Sequence, residues 1–298
     1  MKKVTRRRLV LLAIVIIVPI ALVFLLRPTE SYFFVDRLLL WWAGFESRYI
    51  QLGPNRIHYY VGGEGSPVVF VHGLGGRASN WRPLITGLIP KHRVYAPDLL
   101  GYGDSDKPED ADYSIALETD VLKEFLDSQQ LSRTQLVGWS MGGWIALNFT
   151  SSWPERIERL VLTASVGMRF EPGFDLNVLH PESLEQVREM LRVVSAPSTP
   201  GFVQRDLLRV MKKENWIIKR ALDSMLTGRD LLDGRLAQVR MPVLLVWGEK
   251  DILSPIVIVE SMRVEMPQAQ LKTVPDCGHL VPVQCAADVL PVVEQFLN

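Results

Sequence analysis

The stretch that decides the fold is Gly138-Trp139-Ser140-Met141-Gly142-Gly143, which follows the apolar pair Leu136-Val137 and opens a helical pattern. It predicts a serine on a tight turn between a strand and a helix. Glycines at the first and fifth positions leave room where a Cβ would clash with neighbouring backbone. The alternative is a glycine-rich turn in which Ser140 only caps a helix. Interpreting Ser140 as a nucleophile therefore requires a base, an acid and an oxyanion site elsewhere in the chain.

Composition restricts the classes of function. The 298 residues are 48% hydrophobic, enough to bury a large core as one α/β domain with an insertion. Because 33 Lys and Arg balance 33 Asp and Glu, no basic field exists to attract nucleic acid, and no nucleic-acid partner is expected. The two cysteines, Cys277 and Cys285, lack metal-ligand spacing, so the sequence implies no metal and no cofactor.

The N-terminal segment is strongly apolar. Leu9 to Leu26 forms an uninterrupted run that would span about 27 Å as a helix, close to the thickness of a bilayer core. Residues 27–31 carry no small-x-small cleavage pattern, which favours an uncleaved transmembrane anchor over a cleaved signal peptide. Basic residues are concentrated before the run, so we expect a cytoplasmic N-terminus and a catalytic domain on the non-cytoplasmic side, periplasmic or lumenal.

The segment after the apolar run, residues 32–42, is rich in aromatic and aliphatic side chains. Such a composition is typical of an interfacial helix in the headgroup region of a membrane. It is equally typical of an ordinary N-terminal helix packed on a domain. The sequence leaves both interpretations open.

From Ser47 onward, short apolar strand patterns alternate with helical patterns, which predicts a mostly parallel sheet with helices on both faces. The buried run Pro67 to Val71 ends in His72-Gly73-Leu74-Gly75-Gly76, a loop with exposed backbone amides. We expect the N–H groups of Leu74 and Met141 to form an oxyanion hole. The alternative for this loop is a tight turn without a ligand.

Several motifs occur in a familiar order. They are His72-Gly73-Leu74-Gly75-Gly76, residues 98–105, the Ser140 turn, Gly248-Glu249-Lys250-Asp251 and Gly278-His279. With these motifs the chain resembles the α/β-hydrolase fold, in its lipase and esterase branch. The resemblance implies an eight-stranded sheet and covers roughly residues 47–298.

Carried over to this chain, the family pattern places the catalytic acid at Asp251 and the base at His279, after Ser140 in chain order. An acid at the carboxyl end of a parallel strand would lie on the same edge of the sheet as Ser140, which agrees with this assignment. The alternatives are a solvated or helix-capping Asp251, with Asp276 as substitute acid, and a purely structural His279.

Residues 167–238 form a stretch that the sheet does not need, and helical patterns at Pro181–Val194, Thr199–Lys213 and Trp216–Leu226 predict an inserted helical cap. The predicted domains are an anchor with its juxtamembrane helix at 1–45, a core at 46–166 and 239–298, and the cap. Some apolar cap residues should line an acyl pocket. The candidates are Phe170, Phe174, Leu176, Met190, Leu191, Phe202, Leu207, Met211, Trp216, Ile217, Met225 and Leu226.

The expected activity is hydrolysis of carboxylic esters through an acyl-enzyme on Ser140, and the chain resembles membrane-anchored monoacylglycerol lipases and related bacterial lipases. Carbon–carbon bond hydrolases of this fold use the same triad and remain an alternative, as does a non-catalytic binding protein. A non-cytoplasmic location would also permit a disulfide between Cys277 and Cys285, although a bridge there would constrain the loop that carries His279. The sequence specifies neither the disulfide nor an oligomeric state.

Overall fold

A central sheet of eight strands organises the computed structural model, which describes residues 22–298. Its order is β1-β2-β4-β3-β5-β6-β7-β8. Strand β2 is antiparallel to both of its neighbours, β1 and β4. The six strands β4, β3, β5, β6, β7 and β8 run parallel to one another. The predicted mostly parallel eight-stranded sheet is therefore confirmed. The strands are β1 Glu46–Leu52, β2 Asn55–Gly62, β3 Ser66–Val71, β4 His92–Pro97, β5 Thr134–Trp139, β6 Ile157–Thr163, β7 Val243–Gly248 and β8 Gln270–Val274.

Helices cover both faces of this sheet. Along β3, Val69 and Val71 enter one buried apolar cluster, whereas the alternate residues Val68 and Phe70 enter another. A strand buried on both faces has the continuous apolar sequence seen here. The helices are α1 Pro28–Trp42, α2 Arg82–Ile85, α3 Ile115–Ser128, α4 Met141–Ser152, α5 Leu184–Val193, α6 Gly201–Met211, α7 Asn215–Leu226, α8 Ile256–Glu265, α9 Val281–Gln284 and α10 Ala286–Leu297.

Three helices, α5 to α7, lie between β6 and β7, within the stretch that the sequence analysis assigned to the cap. Helix α5 begins at Leu184 because the Ser183 side chain accepts a hydrogen bond from the amide of Gln186 and so caps the helix. Pro200 precedes the first residue of α6, where a missing N–H costs nothing. Helices α5 and α6 thus start three and two residues inside their predicted patterns, whereas α7 starts one residue before its pattern.

Helix α1 has one face on the protein and one in solvent. Thr29, Ser31, Asp36 and Leu40 are buried against the rest of the chain. The opposite face carries Phe34, Leu38, Trp41 and Trp42 in exposed positions, with Trp42 81% exposed. The helix therefore packs on the domain, as one of the two interpretations had it, and still presents an aromatic surface outward.

The predicted anchor falls mainly on residues 1–21, which lie outside the described residues. Its last residues, 22–26, are helical and exposed. Over the range 22–298, no helix is both long enough and apolar enough to cross a membrane.

Candidate active site

Ser140 occupies the turn between β5 and α4 in a backbone conformation that side-chain-bearing residues rarely adopt, with φ 56° and ψ −122°. The turn is possible because its flanking glycines meet neighbouring backbone. A Cβ on Gly142 would lie 2.2 Å from the Val71 carbonyl oxygen, and one on Gly138 would lie 2.5 Å from the Gly142 oxygen. The turn thus presents the Ser140 side chain at the carboxyl edge of the sheet.

The side chains of Ser140, His279 and Asp251 form a hydrogen-bonded chain. His279 Nε2 lies 3.0 Å from Ser140 Oγ, and His279 Nδ1 lies 2.9 Å from Asp251 Oδ2. A carboxylate can only accept, so Nδ1 carries the proton and Nε2 is left to accept the hydroxyl proton of Ser140. The arrangement can therefore activate a serine for attack on a carbonyl carbon.

Asp251, which is buried, is held in one orientation by several donors. Its Oδ1 accepts the amides of Leu253 at 3.0 Å and Ser254 at 2.9 Å, and the Ser254 hydroxyl lies 2.6 Å from Oδ2. Ser254 Oγ is also 3.2 Å from His279 Nδ1. Ser254 was not among the candidate residues predicted from sequence. The signal was an aspartate followed two and three residues later by amides that its side chain can cap, as in an Asx turn.

The two amides expected to form an oxyanion hole lie beside the nucleophile. Leu74 and Met141 line the same cavity as Ser140. Met141 is the first residue of α4, so its N–H has no carbonyl within the helix. Within residues 22–298, neither amide donates a hydrogen bond. The Leu74 loop passes close to the serine, since a Cβ on Gly73 would lie 2.9 Å from Ser140 Cβ.

The imidazole of His72 holds the loop of Leu74 in place through hydrogen bonds. The amide of Leu99 donates to His72 Nε2 at 3.0 Å, which leaves the proton on Nδ1, and Nδ1 donates to the Gly73 carbonyl at 2.9 Å. Burial lowers the pKa of His72, which favours the neutral imidazole that this pattern requires. His72 is thus a structural residue that orients the candidate oxyanion loop.

The loop that carries His279 is fixed from two sides. Trp139 Nε1 donates to the His279 carbonyl oxygen at 2.9 Å, which ties this loop to the serine turn. A disulfide joins Cys277 to Cys285 across the same loop. The sequence left the disulfide open, and the structure contains it together with a His279 imidazole within hydrogen-bonding distance of Ser140 and Asp251.

A cavity of about 560 Å³ opens above Ser140 and His279. Its walls are largely apolar and come mainly from the cap. Of the cap residues named from sequence, eight line it, namely Phe170, Leu176, Met190, Leu191, Leu207, Met211, Met225 and Leu226, whereas Phe174, Phe202, Trp216 and Ile217 do not. Helix α1 contributes Thr29 and Phe33, a contribution that sequence patterns did not indicate.

Among residues 22–298, one set of side chains, His58, Asp98 and Asp104, brings potential metal ligands within 4.8 Å of one another. Each of these three side chains already has a hydrogen-bond or ion-pair partner in the protein. His58 hydrogen-bonds to Asp98 at 2.7 Å and to the Ser47 hydroxyl at 2.8 Å, and Asp104 pairs with Arg37. This network holds β2 to the loop after β4, and its geometry gives no reason to place a metal there.

Comparisons with known proteins agree with this fold. A model of the alpha/beta hydrolase family matches residues 68–292. The chain is 30% identical over 239 residues to Lipase 3 of Moraxella sp. (strain TA144), covering 75% of each protein. It is also 27% identical over 264 residues to the 2-hydroxymuconate semialdehyde hydrolase of Pseudomonas sp. (strain CF600), covering 81% of this chain and 90% of that one.

Among solved structures, a bacterial membrane phospholipase A described as a virulence factor superposes with a TM-score of 0.82. That match is 24% identical in sequence and covers 98% of both chains, so it establishes likeness of fold. The family match spans the sheet from β3 onward, together with the cap and the loops that carry Ser140, Asp251 and His279. The chain therefore belongs to the alpha/beta hydrolase family.

Proposed function

We propose that the protein is a serine hydrolase that cleaves carboxylic esters, and that its substrates are lipid-like monoesters such as monoacylglycerols. One observation carries this proposal: the hydrogen-bonded chain from Ser140 through His279 to Asp251 opens into a largely apolar cavity. The similarity to Lipase 3 of Moraxella supports an ester substrate.

In the proposed reaction, Ser140 Oγ attacks the acyl carbon while His279 Nε2 takes the hydroxyl proton. The amides of Leu74 and Met141 donate to the developing oxyanion, and Asp251 stabilises the imidazolium that forms. The tetrahedral intermediate collapses to an acyl-enzyme as His279 returns the proton to the leaving alcohol. Water, deprotonated by His279, then releases the acid and regenerates the serine.

The cavity favours a single acyl chain. Its volume of about 560 Å³ lies in the usual range for a small-molecule site, and the cap surrounds it with leucine and methionine side chains. Each methylene group that moves from water into such surroundings contributes roughly 0.8 kcal/mol to binding. A long-chain monoester should therefore bind more tightly than a short one.

We further propose that residues 9–26 anchor the protein in a membrane, with the N-terminus cytoplasmic and the catalytic domain on the other side. The apolar run and the basic residues before it support this orientation. The exposed Trp41 and Trp42 of α1 suit the headgroup region. A disulfide between Cys277 and Cys285 is typical of an oxidising compartment.

The second candidate is a carbon–carbon bond hydrolase. The similarity to a semialdehyde hydrolase over 90% of that protein favours it, and its chemistry would use the same three side chains. An enzyme that acts on a soluble ring-cleavage product has no evident use for an apolar N-terminal run. Esters of lipids are therefore the preferred substrates.

The full-length chain, purified in detergent, should be assayed against p-nitrophenyl esters of rising chain length, monoacylglycerols and a ring-cleavage dienone. We expect hydrolysis of the esters, with kcat/KM rising with chain length, and no turnover of the dienone. Ser140→Ala is the control for contaminating activity. Turnover of the dienone in preference to every ester would replace the first candidate by the second.

A further inference from the structure

Arg77 places a positive charge on the wall of the cavity. It follows the glycine-rich loop that carries Leu74, and it lines the cavity together with Phe33 of α1. The guanidinium carbon of Arg77 lies 3.6 Å from the centroid of the Phe33 ring. The reaction described above makes no use of this side chain.

The Arg77 guanidinium has no carboxylate partner. Within residues 22–298 no carboxylate oxygen lies within 4.0 Å of it, and residues 1–21 contain neither aspartate nor glutamate. The nearby Asp36 is taken by Arg82, at 2.5 Å. Glu214, the acidic residue that lines the cavity, pairs instead with Lys107 at 3.7 Å. Arg77 therefore makes no direct ion pair within the described residues, and its charge acts only at longer range on Asp36, whose own partner is Arg82.

The stacking on Phe33 also fixes the orientation of the Arg77 guanidinium, as binding of a ligand requires. A guanidinium lying over an aromatic ring is held in one plane, and its N–H groups point outward in that plane. Among residues 22–298, none of these N–H groups donates to a protein acceptor. The hydrogen bonds of Arg77 are made by its backbone: its amide donates to Asn80 Oδ1, and its carbonyl accepts from the Asn80 amide. A fixed fork of free donors matches the paired oxygens of a phosphate or carboxylate.

We propose that Arg77 binds a phosphate group on the alcohol side of the substrate, so that the enzyme prefers lysophospholipids to monoacylglycerols. This inference rests on the proposed function. The acyl carbonyl must lie at Ser140, so an anion at Arg77 belongs to another part of the molecule, and the apolar cap lining suits the acyl chain. Among single-chain lipid esters, the most common anionic group on the alcohol is a phosphate, and its paired oxygens match the guanidinium fork.

The kinetic test compares lysophosphatidylglycerol with a monoacylglycerol of the same acyl chain. For Arg77→Gln we expect the ratio of the two kcat/KM values to fall about tenfold or more, because a hydrogen-bonded charge pair is lost. Arg77→Lys, which keeps the charge but not the planar fork, should show an intermediate ratio. Arg205→Gln removes an exposed charge outside the cavity and should leave the ratio unchanged. An equal loss on both substrates in Arg77→Gln would overturn the proposal.

A binding test separates this inference from the proposed hydrolysis. Full-length Ser140→Ala protein should bind an ether-linked lysophosphatidylglycerol about tenfold more tightly than the matching alkylglycerol, and adding Arg77→Gln should abolish that difference. This preference would stand even if the wild-type protein hydrolysed no ester. Equal affinity of Ser140→Ala for the two ether lipids would refute the subsite, and equally strong binding of inorganic phosphate alone would refute its assignment to a lipid.

Discussion

The backbone N–H of Thr29 donates to Asp206 Oδ2 at 2.9 Å, which joins the first turn of α1 to the cap helix α6. Arg209 of α6 reinforces this contact, since it pairs with both Asp206 and, at 3.0 Å, Glu30 of α1. Thr29 lies three residues after the proposed anchor and itself lines the cavity, so this contact joins α1, the cap and the wall of the candidate site.

Loss of the contact between α1 and α6 should lower the free energy of unfolding. Asp206→Ala removes the acceptor that caps α1 and one partner of Arg209, so we expect the free energy of unfolding to fall by about 1–2 kcal/mol. Denaturation of the full-length protein in detergent measures this change. Asp223→Ala, which removes an exposed ion pair with Lys219, is the matched control and should cost less than about 0.5 kcal/mol. Equal effects of the two variants would show that the contact of Asp206 with Thr29 and Arg209 stabilises the fold no more than an exposed ion pair does.

Two truncations should separate the anchor from α1. Removal of residues 1–26 leaves Thr29 and Phe33 in the cavity wall, so kcat on soluble short-chain esters should hardly change. Turnover of lipid monoesters in vesicles should fall roughly tenfold or more, because the enzyme leaves the membrane surface.

Removal of residues 1–45 also deletes α1 with its buried face, and should impair both assays. Full activity on vesicles after removal of residues 1–26 would contradict a role of the anchor in turnover and would leave it with a role in localisation alone.

Substitutions of the three proposed catalytic residues should lower kcat by different amounts. Ser140→Ala and His279→Ala should each lower kcat roughly 10⁴-fold or more with folding intact, and Asp251→Asn somewhat less. Asp276→Asn is the matched control, because Asp276 is a surface residue paired with Lys250 at 2.6 Å. Steady-state kinetics with circular dichroism as a folding check measures these effects. Near wild-type activity in Asp251→Asn would mean that another acid orients His279.

Glu118 should make stability depend on pH. It is fully buried, and burial raises the pKa of its carboxyl from 4.5 to about 8. Between these values the folded state keeps a proton that the unfolded state has lost. The stabilisation is therefore complete below about pH 4.5 and is lost as the pH rises towards 8.

Glu118→Gln should remove this dependence, so its melting temperature should exceed that of the wild type increasingly from pH 5 to pH 8. Glu124→Gln, at an exposed position of the same helix, should follow the wild-type profile. Parallel profiles for Glu118→Gln and the wild type would contradict the assignment.

The disulfide should stabilise the loop of His279. A bridge between residues eight apart contributes about 2–3 kcal/mol through the entropy of the unfolded chain. Cys277→Ser with Cys285→Ser should lower the melting temperature accordingly. Since the chain has two cysteines, denatured protein should take up no alkylating label before reduction and two labels after it. Two labels without reductant would show that the bridge is absent in the isolated protein.

Much of the fold and the core of the candidate site could be predicted from sequence because the signals are local. Gly138 and Gly142 identify the serine turn, since the clashes that they avoid arise within a few residues or with the adjacent strand. Apolar runs identify the strands, and parallel strands bring their carboxyl ends to one edge. The choice of Asp251 and His279 came from the resemblance to the α/β-hydrolase fold, and the position of Asp251 after a parallel strand agreed with it.

Only the tertiary structure decided what surrounds these residues. Thr29 and Asp206 are 177 positions apart, and no local pattern indicates that they meet. The same holds for the stack of Arg77 on Phe33 and for the choice of cap residues that face the cavity. Such contacts depend on how whole helices pack against one another. Side-chain periodicity predicts which face of a helix is buried, but it does not predict which element that face contacts. The sequence by itself therefore determined the sheet and the order of the candidate catalytic residues, while packing decided the walls of the cavity and the charge within it.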